Sequence, residues 1–104
     1  MNKYTELSDF EINKKVSENL KLNTIAYERT EIVLFDDMDA TPFDPCNNPA
    51  DAMPIINEYG ISLVYQDRKF QFVTNDGNIE CGDSNPLKAA MIIFLCMKDA
   101  ENEG

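Results

Sequence analysis

The chain has 104 residues, enough for one small domain with a modest core. Hydrophobic residues make up 43%, which argues against disorder except at the ends, and nineteen acids against nine bases give a net charge of −10. A surface of that sign repels nucleic-acid phosphates and anionic membranes, which excludes a direct nucleic-acid binder; it attracts basic partners, including proteins that themselves handle nucleic acid.

In chain order, the first element is a helix opened by LSDFEI. Ser8 is the cap, Glu11 closes a capping box and Leu7 with Ile12 forms a hydrophobic staple. Ile12, Val16 and Leu20 give the apolar stripe, and Lys14, Lys15, Glu18 and Asn19 the wet face. The β-branched and aromatic stretch 24–37 predicts two strands, with EIVLF as a candidate central strand. DDMDATPFDPCNN then has turn chemistry throughout, and a loop that long in a small domain is a place to look for function. A second helix starts at Asn48 with Pro49 in its first turn and ends at Gly60; Pro54 falls inside it and should bend its axis. ISLVYQ and KFQFVT flank Asp67-Arg68 as a β-hairpin, with Phe70 and Phe72 alternating against Lys69 and Gln71. NDGN at 75–78 reads as a turn and IEC as a short third strand. Asn85-Pro86 opens the last helix, with Asp83 and Ser84 as competing caps. That helix is apolar on nearly every side from Ala89 to Met97, and an acidic tail is expected to fray from about residue 99.

Two segments read alike, NPADAMPII from Asn48 and NPLKAAMII from Asn85. Both are helix starts made by an Asn cap and a first-turn Pro. Their flanks do not match, so the likeness is folding chemistry used twice rather than an internal duplication. The anion-binding capacity of a helix start remains as its functional counterpart.

LSDFEINKKV, FDPCNNPADAMPII and NPLKAAMIIFL together resemble the phage NinX family, a group of small proteins of tailed phages and prophages of enteric bacteria. The resemblance covers nearly the whole chain, and the middle motif is its most specific part. It implies a phage origin and the layout of small phage domains described as an ABA sandwich, with helices on both faces of a sheet. It brings no assigned reaction. The family usually places a Trp where this chain has Met53, which puts any binding face built on that position in doubt.

The residues offer little catalytic equipment. Cys46, Cys81 and Cys96 are widely spaced and the chain has no histidine, so neither a zinc site nor a cysteine–histidine nucleophile can be assembled. Asp37, Asp39 and Thr41 alternate as in a calcium loop. Pro42 stands where such a loop needs Gly, however, and Asn48 where it needs Glu. No glycine-rich phosphate loop exists. No metal and no cofactor are therefore expected. Cys46, in a polar loop just before a helix start, is the one thiol whose pKa could be lowered, but it reads first as a small packing residue.

The expected fold is α+β, a small sandwich of a mostly antiparallel sheet with about three helices, spanning 1–104 as one domain. The candidate site is Phe43, Asp44, Cys46, Asn47, Asn48, Asp51 and Met53, read either as a partner-binding loop or as a self-capped turn in which Phe43 plugs the core. The expected function is non-enzymatic: an accessory factor that binds a host protein with a basic surface, without nucleic acid or membrane. The alternatives are a nucleotide-like ligand held at the Asn47-Asn48 helix start and a self-associating module, a homodimer for example. With no leader-like apolar core at the N-terminus and no apolar run of about 20 residues, the expected location is the cytoplasm.

Overall fold

A computed structural model describes residues 3–75 and 79–103. The order is α1 (Asp9–Leu20), β1 (Thr24–Tyr27), β2 (Ile32–Phe35), α2 (Pro49–Tyr59), β3 (Ile61–Gln66), β4 (Lys69–Asn75), β5 (Ile79–Cys81) and α3 (Pro86–Glu103). The fold is α+β with three helices and antiparallel strands, as composition and pattern led one to expect.

The helix punctuation works as written. Ser8 accepts from the Glu11 amide while the Glu11 carboxylate accepts from the Ser8 amide, a complete capping box. Asn48 caps α2 through the Ala50 amide, and Gly60 ends it at φ 65°, a left-handed conformation that glycine adopts without strain. The helix runs on through Pro54. At the start of α3 the cap is Asn85, whose Oδ1 accepts from the Leu87 and Lys88 amides. Asp83 instead holds the Asn85 amide.

The strands form two sheets rather than one. β1 and β2 make a separate hairpin, with Ile25 opposite Leu34 and Tyr27 opposite Ile32; β3, β4 and β5 follow in that order in a second sheet. EIVLF is thus not central in a large sheet. β2 lies between β1 and the extended segment 41–43, held by Phe35 N–H to the Thr41 carbonyl and Phe43 N–H to the Val33 carbonyl. In the second hairpin Asp67 and Arg68 both take positive φ, 54° and 67°, the signature of a tight two-residue turn. An irregularity between Val64 and Tyr65 pairs Tyr65 with Phe70 but Val64 with Phe72. Phe70 therefore packs on the core, while Phe72 shares the other face with Ser62 and Thr74. The expectation that both phenylalanines face one way fails at this bulge. The turn expected at 75–78 lies, apart from Asn75, outside the described residues.

α3 is the hub. Ala89 to Leu95 are all buried, enclosed by the β3–β5 sheet and by α1 and α2. Ser62 and Glu80 on the opposite face of that sheet are exposed. The layering therefore departs from helices on both faces of a sheet: α1 and α2 stack against α3 instead. The acidic tail does not fray at residue 99 but continues α3 to Glu103. Asp99 there accepts from the Tyr4 hydroxyl and pairs with Lys3 at 3.3 Å, tying the N-terminal turn to the last helix.

Candidate functional site

Residues 36–48 connect β2 to α2, and their second half holds most of the candidate residues. Phe43 is buried and packs edge-on against Phe35 at 5.6 Å between ring centres. Beyond it the chain turns tightly, with the Asn47 and Asn48 amides both on the Asp44 carbonyl. Asp51 reaches back from the first turn of α2 to accept from the Asp44 amide at 2.9 Å. Its carboxylate is thus a brace for the loop as well as a favourable charge near a helix N-terminus.

The loop is then locked from α1. Asn13 is only 6% exposed. Its Nδ2 donates to Asp44 Oδ1 at 2.7 Å, and its Oδ1 accepts from the Cys46 amide at 3.1 Å. Asn47 donates to Asp9 Oδ2 at 3.0 Å and to Asp44. From α3, Asn85 donates to the Cys46 carbonyl at 2.6 Å and to Asn47 Oδ1 at 3.2 Å, and Lys88 pairs with Asp9 at 3.1 Å. The starts of all three helices therefore converge on residues 44–48, and the two look-alike segments meet in space.

This convergence decides the electrostatics. Three helix N-termini bring partial positive charge to one place, and Asp9, Asp44 and Asp51 offset it from within the fold. Asn47 and Lys88 hold the Asp9 carboxyl below its ordinary value, because both stabilise the charged form. In the first turn of α2 Pro49 has no N–H, and the Ala50, Asp51 and Ala52 amides are all taken by Asn48. A helix start so occupied has no first-turn backbone amide left for an anion.

The candidate residues thus divide. Phe43, Asp44, Cys46, Asn47, Asn48 and Asp51 are brought together as a structural lock. Met53 stands apart on the far side of α2, 39% exposed, a surface position and not core. Tyr59, half-buried, packs edge-on against Phe94; Phe43, Met53 and Tyr59 therefore form no common exposed patch. Cys46 is fully buried, in keeping with the packing reading; burial, aided by Asp9 and Asp44, pushes its thiol pKa up, against the alternative of a lowered one. Asp37, the first residue of the rejected calcium pattern, accepts from the Asp39 and Ala40 amides in a local turn.

Sequence reasoning missed Asn13, Asp9, Asn85 and Lys88 as members of this lock. One signal was present: Asn13 lies three residues from both Phe10 and Val16, a polar side chain on a buried helical face, which demands partners. Two clefts border the region. One, of about 250 Å³, lies between α1, β2 and the loop, with Phe10, Glu31, Ile32 and Pro42 in its walls. The other, of about 340 Å³, is more apolar and lies between Leu20, Leu22, Ala50, Pro54 and Ile55. Among the described residues no helix is long and apolar enough to cross a membrane.

The family model described as Bacteriophage P22, NinX matches residues 3–98. No curated protein and no solved structure matches the chain.

Proposed function

Because this chain belongs to the NinX family of bacteriophage P22, we propose that it is a phage accessory protein that works by binding a host protein, blunting a host defence or redirecting a host enzyme. The observation that carries the reading is the acid surplus and where it lies. Of the net charge of −10, a large part sits on exposed carboxylates: Glu31, Asp36, Asp37, Asp39 and Glu58. Lys3, Lys14, Lys88 and Lys98 are already engaged in ion pairs with the chain's own acids. Such a surface steers toward, and complements, the basic face of a nucleic-acid-handling protein.

The candidate loop supports this reading only indirectly. Its polar groups bond to one another, which supports a scaffolding role, with Asn47 and Asn48 exposed at its rim. The same satisfaction of the α2 amides removes the donors that a nucleotide-like ligand would need at that helix start. The test is capture from host lysate by the wild-type protein and by an Asp36→Lys, Asp39→Lys, Glu58→Lys variant, with circular dichroism to verify folding. The expected result is a specific basic partner whose recovery falls with the variant and with added salt. Recovery of no specific partner, or equal recovery by both proteins, would overturn the reading.

A further inference from the structure

The β1–β2 hairpin turns one side inward, where Val33 is buried and Ala26 and Phe35 pack on the core. Its other side is apolar too. Ile25 and Leu34 face each other across the strands, and so do Tyr27 and Ile32. Three of these four keep two-fifths or more of their surface exposed: Ile25 is 41% exposed, Tyr27 45% and Ile32 43%. A strand with one buried and one wet face normally alternates apolar with polar residues; TIAY and IVLF do not. The outward face of the β3–β5 sheet mixes the polar Ser62, Thr74 and Glu80 with Val64 and Phe72. Clustered exposed apolar side chains of this kind mark an interaction site.

The hairpin also has an unguarded edge. β2 is closed on its far side by residues 41–43, whereas β1 pairs with β2 alone among the described residues. The Val33 carbonyl points to Phe43, away from β1, so Ala26 opposite it points its N–H and C=O away from β2. Edge strands are ordinarily protected by charge or proline, and β1 has neither.

Charge selects the occupant. Around the apolar face lie Asp36, Asp37 and Asp39 at the open end, and Glu28 and Glu31 at the turn, where Lys14 pairs with Glu28 and Arg29 stands between the two. A second copy of the chain would set this acidic rim against itself. A strand bearing lysine or arginine between aliphatic residues would satisfy both the apolar face and the rim. We propose that the β1 edge and the outer face of the hairpin dock an extended basic segment of a partner protein, which adds as a third strand beside β1. That the partner comes from the host rests on the function proposed above; the docking chemistry does not.

The probe is a capped peptide of about eight residues, a common strand length, alternating lysine and valine, titrated into the isotope-labelled protein. The Ile25, Ala26 and Tyr27 amide signals are expected to shift. Affinity should fall about tenfold or more, about 1.4 kcal/mol, when alternate peptide amides are methylated, and likewise with an Ile25→Ser, Tyr27→Ser variant that melts like wild type. A glutamate–valine peptide should not bind. Shifts confined elsewhere, indifference to methylation, or a concentration-dependent dimer that buries Tyr27 would each overturn the assignment. If the Ile25→Ser, Tyr27→Ser variant still captures the host partner of the wild-type protein, the hairpin assignment falls and the host-binding function stands. If the peptide docks but lysate yields no partner, the reverse holds.

Discussion

Asn13 is the buried polar side chain that ties α1 to residues 44–46. It satisfies a carboxylate oxygen of Asp44 and the Cys46 amide from a nearly dry position. Asn13→Ala leaves the Cys46 amide without its bond and Asp44 Oδ1 with Asn47 alone, and is expected to cost about 1–3 kcal/mol in chemical denaturation; Asn13→Asp, which sets a second carboxylate against Asp44, should cost more. Asp9 gives the lock its pH dependence. Its folded pKa lies below the ordinary 3.8, so its contribution is fully present above that value and is lost as pH falls through the lower folded value. Asp9→Asn should therefore lower stability near neutrality and lose less than wild type on acidification below about pH 4, a difference that thermal melts across pH would read. The sequence marks Asn47 and Asn48 by their caps, but Asp9 and Asn85 enter the site only because α1 and α3 bring their starts to the same loop.

The two Asn-Pro helix starts look equivalent in sequence and differ in burden. Asn48 caps α2 locally, so Asn48→Ala is expected to cost the usual cap energy of about 1 kcal/mol. Asn85 caps α3 and also donates to the Cys46 carbonyl and to Asn47. Asn85→Ala should cost more, about 2–3 kcal/mol, because a cap and cross-chain bonds go together; paired urea melts would show the inequality. In the β3–β4 hairpin Arg68 takes the left-handed conformation that a non-glycine residue adopts at a cost. Arg68→Gly should raise the unfolding free energy by about 0.5–1 kcal/mol; a fall in urea midpoint would show that the Arg68 side chain does more than occupy a turn. The bulge at Val64 and Tyr65, which sends Phe72 to the other face from Phe70, left no mark in an alternating pattern. Register is a property of a strand pair, and one strand's alternation cannot reveal an irregularity in its pairing.

Over the whole molecule the acid surplus is a stress on the fold as well as a means of attraction. Like charges at −10 repel in the compact state more than in the expanded chain. Raising sodium chloride from about 0.01 to 0.15 M shortens the screening length from about 30 to 8 Å and is expected to raise the melting temperature; a fall would mean that internal pairs such as Lys88–Asp9 outweigh the repulsion. The order of elements, the capping box at Ser8, the left-handed stop at Gly60 and the burial of the middle of the last helix, Ala89 to Leu95, were legible in sequence. Each depends on residues within a turn or two of one another, where backbone geometry and side-chain chemistry suffice. Three things were decided only in three dimensions: the separation of the strands into two sheets, the meeting of three helix starts on residues 44–48, and the apolar face that the first hairpin leaves uncovered. Sequence writes local conformation because its causes are local. It does not write which surfaces end up against each other, because that depends on how α3 gathers helices and strands around itself, a competition for burial among segments far apart in the chain.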